Sequence, residues 1–327
     1  MRAAWYEKNG PAREVLIIGD WPTPEPGPGE VRVRLQTSGV NPSDVKSRAR
    51  RPLASPRIIP HSDGAGIIDK VGDGVPAARI GERGWLWNGQ WRRPMGTAAE
   101  FIALPAPQAV RLPDAIDFAA GACLGIPALT AFQAVELLGD IRGRTILVIG
   151  ASSAVGHYVT QIATRRAGAK VIGTVGSPEK AAHARAAGAV ATINYKQKNV
   201  AERVRALTEG RGVAAMIDMD FSSTAKLIAE DVLAPHGLLV SYGSNHPGEI
   251  PVPFQKLLTN SLSLRFFLVY ELSEPDRRRA LDGVTAMLKD GQFQHALGAR
   301  FPLDEIAAAH EAVESGRVLG NVIVTLT

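Results

Sequence analysis

From Thr145 onward the chain alternates short, continuous apolar runs with helical stretches, and that alternation leaves few folds open to it. Residues 145–149 (Thr-Ile-Leu-Val-Ile) form an apolar run with no polar interleaving, followed by a helical pattern over 155–167. Further strands are predicted at 170–174, 191–194, 213–218 and 237–242, with helices at 178–187, 199–208 and 223–233 between them. Strands apolar on both faces, each followed by a helix, predict an α/β fold built on a doubly wound parallel sheet.

The first strand-to-helix turn of that series reads Gly150-Ala-Ser-Ser-Ala-Val-Gly156. Small residues at such a turn let backbone N–H groups approach a pyrophosphate at the positive end of a helix. By itself the run is weak evidence. Its place at the head of the βα alternation makes a dinucleotide site the expectation. NAD sites commonly carry an acid at the end of the second strand to receive the ribose hydroxyls. Here that region reads Gly173-Thr-Val-Gly-Ser-Pro-Glu-Lys180, with Glu179 already inside the next helix. Ser177 and Lys180 suit the 2′-phosphate of NADPH, while the plainer reading is a helix N-cap beside an exposed lysine.

The N-terminal part is different in texture. Glycine and proline are frequent, and Val31-Arg-Val-Arg-Leu35 has the period of a half-buried strand, so a β-rich domain is expected there. Residues 321–326 end the chain as a strand expected to fold back onto it. With 327 residues, 45% hydrophobic and 21% charged, two domains are the natural division. No segment has the apolar length of a membrane span, and the expectation is a cytoplasmic protein without membrane or nucleic-acid partners. The net charge is +5, with the basic residues dispersed except for Lys46, Arg48, Arg50, Arg51 and Arg57, which crowd one loop-like stretch. A single cysteine, Cys123, rules out an intramolecular disulfide and a cysteine-built zinc site. The histidines, His157, His236 and His310 among them, show no metal-like spacing and are expected to be caps or surface groups.

Over nearly its whole length the sequence resembles the quinone oxidoreductase branch of the medium-chain dehydrogenases/reductases, the group that includes zeta-crystallin. The resemblance is carried by Gly39-Val-Asn-Pro-Ser-Asp44, Ile59-Pro-His-Ser-Asp-Gly-Ala-Gly66, Gly96-Thr-Ala-Ala-Glu-Phe101, residues 123–131, residues 168–176 and the tail from Pro302 to Gly316. It implies a GroES-like β-rich catalytic domain over 1–120, completed by about 271–327, and a Rossmann domain over 121–270, with the nicotinamide held between them. It further implies NADPH as cofactor, with the pyrophosphate at Gly150, Ser152, Ser153, Ala154, Val155 and Gly156. The adenosine end would lie at Gly176, Ser177, Lys180 and Tyr195. The rest of the cofactor would run along Ser222, the turn with Tyr242, Gly243 and Ser244, and Phe266, Phe267 and Leu268. A homodimer joined at the edge strand near 263–267 is implied too. The chain departs from the family at Ser153 and Ala154, where glycines are usual, and at Lys46, where a tyrosine is common.

Zinc-dependent relatives carry a cysteine at the place of Asn41 and a His-Glu pair at Ser62 and Asp63, so the resemblance points to a metal-free branch. Hydride transfer to a quinone or conjugated carbonyl then needs only donors for the oxygen that becomes negative. Asn41, Lys46 and Thr130 are the candidate donors, and Asp44 a catalytic or loop-anchoring acid. For Asn41 and Asp44 the alternative is an Asx-type turn around Pro42. The stretch holding Trp85, Trp87 and Trp91 is expected to border the substrate, with Trp87 and Trp91 as stacking surfaces or as loop packing. The rival acceptors are 2-alkenals, enones and enoyl-CoA thioesters, the last drawing on the basic residues from Lys46 to Arg57. A rival of another class is a non-catalytic NADPH-binding protein.

Overall fold

A computed structural model describes residues 1–326 and divides the chain into two compact units, one formed by both chain ends and one by Pro127–Gln294. The break falls at 126/127 and 294/295, so the helix Glu274–Lys289 belongs to the second unit and not to the chain ends. Packing explains the difference: its buried stripe of Ala280, Val284, Met287 and Leu288 closes on the helix Leu129–Glu136. Gly283 lies so near Phe132 that a Cβ would stand 2.0 Å from the ring.

In the unit of the two chain ends, the strand Glu30–Val40 is the hub. It pairs antiparallel with Asp63–Val71, with Phe101–Pro105 and with Asn321–Thr325, so the last strand does return to the first sheet. Val31, Val33 and Leu35 are buried while the arginines between them face outward, which is the period-two pattern at work. The helix Pro42–Arg50 follows directly, and Lys46 to Arg50, expected to be loop, lie within it. Pro42 starts this helix, where its missing N–H costs nothing. The side-chain Nδ2 of Asn9 lies within 3.1 Å of the carbonyls of Ser47, Arg48 and Arg51, and its two hydrogens serve these orphan acceptors at the other end.

The second unit is a six-stranded parallel sheet. In space the order is Ala191–Asn194, Lys170–Val175, Thr145–Val148, Val213–Asp218, Leu233–Ser241, Ser263–Phe266. Numbered along the chain this is 3-2-1-4-5-6, with the direction of winding reversing between Thr145–Val148 and Val213–Asp218. Ligands of such sheets bind outside the carboxyl ends at that reversal. Where a helix was expected over 223–233, the chain makes two short turns, Phe221–Thr224 and Ala225–Ile228. Asp231, in a left-handed conformation at φ 53°, then turns it into a strand that begins at Leu233.

Candidate functional site

The glycine-flanked turn sits at the reversal point of the parallel sheet. Gly150 has φ 67°, and a Cβ on it would stand 2.2 Å from Met219 Sδ. A Cβ on Gly156 would stand 2.1 Å from the Gly150 carbonyl oxygen. Both positions are therefore closed to side chains by conformation or by contact. Ser153 caps the helix Ala154–Gln161 by accepting from the Gly156 N–H at 3.0 Å, and the Gly150 N–H donates to Thr174 Oγ1 at 2.9 Å. Those bonds leave the N–H groups of Ser152, Ala154 and Val155 without an acceptor among the described residues. Unpaired N–H groups at a helix start are anion donors. Ser153 and Ala154, standing where glycines are usual, fit without strain because Ser153 is extended and Ala154 opens the helix.

Beside this turn lies a pocket of about 540 Å³ whose lining includes Ile149, Gly150 and Thr174 at strand ends. Tyr195, more than half exposed, lines it as well, together with Lys198 and Lys226. Gly176 approaches the Tyr195 hydroxyl, to which a Cβ would stand 3.1 Å. Ser177 is an N-cap, accepting from the Lys180 N–H at 3.2 Å, and its hydroxyl holds the Glu179 carboxylate below the usual range. One wall of the pocket is braced by acids that the sequence reading did not single out. Asp218, completely buried, accepts from Thr224 Oγ1 at 2.7 Å and Ser241 Oγ at 2.8 Å, and burial raises its pKa. Burial also acts to raise Asp220, but hydrogen bonds from Ser222 and from the backbone and side chain of Asn245 outweigh it and hold that carboxylate low. These bonds tie Ser222 to the turn that carries Tyr242, Gly243 and Ser244. Phe266 and Leu268 are exposed at the sheet edge, where Phe266 meets Phe221 edge-on at 5.1 Å, and Phe267 is tilted against Tyr242 at 6.2 Å.

In the other unit, Asn41 N-caps the helix Pro42–Arg50 and joins two buried acids. Its backbone N–H donates to Asp44 Oδ2 at 2.8 Å, and its side-chain Nδ2 donates to Asp63 Oδ2 at 2.8 Å. Asp44 is thus the N3 residue of a helix start, as in a capping box. Burial pushes Asp44 up to about 7, with the bonds to Asn41 and the charge of Arg51 opposing. Asp63 is driven well above the carboxylate range by burial and then by Asp44, with the Asn41 side chain and the Ile126 backbone opposing. Tyr6 joins this group, its phenol raised to about 12 by burial and Asp44.

Several expectations need correction at this point. His310 and His157 are buried, neither caps nor surface groups, and only His236 of the three is exposed. His61 Nε2 and His310 Nε2 lie 2.9 Å apart in the core, and burial holds both rings neutral, His310 at about 3. His157 stacks on His183 with centroids 4.2 Å apart. Trp85 is a fully buried core residue, so it offers no stacking face. Trp87 and Trp91 are half-buried, Trp87 donating to the Pro107 carbonyl and Trp91 lying 5.8 Å below the Arg92 guanidinium. Arg48 is sequestered against Glu314 and the Gly10 carbonyl. Lys46 is half-buried on its helix, and Thr130 is buried with no hydrogen-bond partner for its hydroxyl. Asp63, His61, Thr174, Asp220 and Asn245 were not foreseen in these roles. Only Thr174, at a strand end beside the glycine turn, carried a positional signal.

Comparison with known proteins agrees with this architecture. Residues 27–114 match the family model described as alcohol dehydrogenase GroES-like domain, and residues 154–286 that described as zinc-binding dehydrogenase. The chain is 34% identical over 319 residues to a quinone oxidoreductase of Pseudomonas aeruginosa, covering 95% of each chain. It is 30% identical over 346 residues to a 2-haloacrylate reductase of Burkholderia sp, covering 99% of this chain and 98% of the other. Among solved structures, an NAD-dependent alcohol dehydrogenase superposes with a TM-score of 0.90 at 29% identity over the full length of both chains. An Escherichia coli quinone oxidoreductase complexed with NADPH gives 0.86 at 25% identity, covering 99% of this chain and all of that one.

Proposed function

The chain belongs to the quinone oxidoreductase family of the medium-chain dehydrogenases/reductases, and from that premise we propose that it catalyses NADPH-dependent hydride transfer to a quinone without a metal. The observation that carries this reading is the bare turn at Gly150–Gly156, whose cramped glycines and three unpaired N–H groups suit a pyrophosphate. Ser152, Ala154 and Val155 would hold that group, with Gly176, Lys180 and Tyr195 toward the adenosine phosphate. The pocket of about 540 Å³ has the size of a ligand site and is lined by Lys198 and Lys226 together with Asp220 and Glu230. When bound, the nicotinamide supplies the hydride.

Zinc does not fit the residues available. Its relatives' ligand positions hold an amide, a hydroxyl and one carboxyl here, at Asn41, Ser62 and Asp63. A catalytic zinc needs three protein ligands such as Cys, His or carboxylate, and Asn41 and Asp63 are already bonded to each other. The work of stabilising charge on the acceptor oxygen falls to hydrogen-bond donors. Asn41, whose side-chain amide is shared between Asp63 and Asp44, is the proposed amide donor. Thr130 has a buried hydroxyl with no partner. Asp44, at about 7, is tuned to give up a proton near neutral pH. Lys46 adds a cation on the same helix as Asp44, and Trp87 and Trp91 are the proposed stacking surfaces.

The test is NADPH oxidation by the purified, chelator-treated protein with 1,4-benzoquinone, 9,10-phenanthrenequinone, a 2-alkenal and crotonyl-CoA side by side. Quinones should turn over fastest. Turnover of the thioester alone would overturn the quinone reading, and tight NADPH binding with no turnover would mark a binding protein. Of the basic stretch that the thioester reading draws on, Arg48 is buried against Glu314, while Arg50 and Arg51 are exposed. We further propose a homodimer in the cytoplasm, joined through the edge strand Ser263–Phe266. Beside its unpaired edge Phe254, Leu258, Phe266 and Leu268 are exposed. Light scattering at micromolar concentration should give twice the chain mass, and a strict monomer would refute the pairing.

A further inference from the structure

The chain has one cysteine and five methionines, and they differ in what can reach their sulfurs. Cys123 is buried, and burial pushes its thiol well above the ordinary range, so it offers no thiolate to an oxidant. Met216 and Met287 are buried as well. Met1 and Met95 are half-buried and pack against the core of the unit formed by the chain ends. Met219 is also half-buried, but it lines the pocket of about 540 Å³.

Met219 follows directly on the strand Val213–Asp218, at the carboxyl end where the sheet reverses. Its sulfur takes up the space that Gly150 leaves free, since a Cβ there would stand 2.2 Å from Sδ. The thioether therefore rests against the first residue of the turn whose Ser152, Ala154 and Val155 N–H groups have no acceptor among the described residues. A flexible, unbranched side chain suits such a gap, and packing alone accounts for that much. Its backbone has little freedom to withdraw. On one side Asp218 accepts from Thr224 Oγ1 and Ser241 Oγ, and on the other Asp220 accepts from Ser222 Oγ and from the backbone and side chain of Asn245. Any atom added to the sulfur must be accommodated by the side chain itself.

We propose that Met219 is a modification site through which oxidation weakens cofactor binding: hydrogen peroxide converts its thioether to the sulfoxide, and the new oxygen competes with the pyrophosphate for the turn. In this step a sulfur lone pair attacks one peroxide oxygen and the O–O bond breaks. The departing hydroxide takes the proton from the oxygen now on sulfur and leaves as water. The thioether loses two electrons and the peroxide gains them. The product is polar, and its oxygen accepts hydrogen bonds. Because Sδ already packs against Gly150, that oxygen turns either toward the unpaired N–H groups or into the pocket. Both are places the cofactor would fill. The inference rests on the reading of this turn as the pyrophosphate site.

The experiment treats the full chain with hydrogen peroxide, with and without saturating NADP+, and follows each methionine by peptide mass spectrometry. The Kd of NADPH is measured before treatment and after the peroxide is removed. Met219 should gain oxygen well ahead of the buried Met216, and NADP+ should slow the reaction at Met219 but not at Met1 or Met95. Kd should rise about tenfold, the scale of one hydrogen bond lost to a charged group. Methionine sulfoxide reductases for both epimers should restore it. Met219→Leu keeps the volume without the oxidisable sulfur and, whatever its starting Kd, should bind equally before and after peroxide. Met219→Gln, with a polar oxygen in place, should bind NADPH more weakly than wild type without any treatment. A sulfoxide at Met219 that leaves Kd unchanged overturns the inference. So does a Met219→Leu protein that loses affinity by the same factor as wild type, or a Met219 that oxidises at one rate with and without NADP+. Untreated protein that binds no NADPH refutes the reading of the turn instead, and the inference falls with it.

Discussion

The turn at Gly150–Gly156 and the group around Asn41 are both polar, yet they are built in opposite ways. The turn presents backbone N–H groups and keeps side chains away, because Gly150 and Gly156 have no room for a Cβ. The Asn41 group is made of side chains, Asp44 and Asp63 among them, drawn into a dry interior where each carboxyl is pushed toward its neutral form. A backbone site recognises phosphate through geometry that hardly depends on pH. A buried side-chain site depends on protonation and on partners distant in sequence.

The largest effect should follow from disturbing the backbone site. Gly150→Val places a branched side chain at φ 67° against Met219, with about 3 kcal/mol of strain expected. NADPH affinity should fall about 100-fold by calorimetry, and an unchanged Kd would show that the turn does not carry the cofactor.

The buried acid group gives a pH signature that the backbone turn lacks. Asp44, at about 7 in the folded protein against an ordinary 3.8, keeps its proton more tightly when folded. The folded state therefore holds more protons between about pH 4 and 7 and loses stability as pH rises through that window, at up to about 1.4 kcal/mol per pH unit. His61 and His310, held neutral by burial, act with the opposite sign and Asp63 with the same one, so wild type is compared with Asp44→Asn. In urea denaturation at pH 5 and pH 6, wild type should lose stability relative to Asp44→Asn on going up. Parallel behaviour of the two proteins would place Asp44 near its ordinary titration range.

This contrast also explains which parts of the molecule were legible in the sequence. The parallel sheet and the return of the last strand to the first follow from short-range apolar periods, which survive in the linear order. The turn was legible because a requirement for bare backbone shows as small residues at a strand end. The Asn41 group was legible only in its local half: Asn41 and Asp44 lie within one helix start, whereas Asp63, Tyr6 and His310 reach their places through sheet register and helix packing. Arg48 looked like part of a basic surface stretch, and its burial depends on Glu314, 266 positions away. Ser177 showed both its possible roles in sequence, and the structure realises the cap.

A smaller effect separates Ser177 from Lys180 within the cofactor region. Lys180→Ala should reduce the preference for NADPH over NADH about fivefold, as loss of one partly exposed charge contact with the 2′-phosphate. Ser177→Ala should instead cost about 1 kcal/mol of stability through the lost cap, with the preference nearly intact. Equal cofactor preference in wild type and Lys180→Ala would remove Lys180 from the site.

The most direct measurement of the central claim is the rate of NADPH oxidation with 1,4-benzoquinone by chelator-treated protein, before and after addition of zinc. If hydride transfer relies on the Asn41 group and the bare turn alone, the treated protein is active and zinc leaves its rate unchanged. Activity that appears only with zinc would contradict the account.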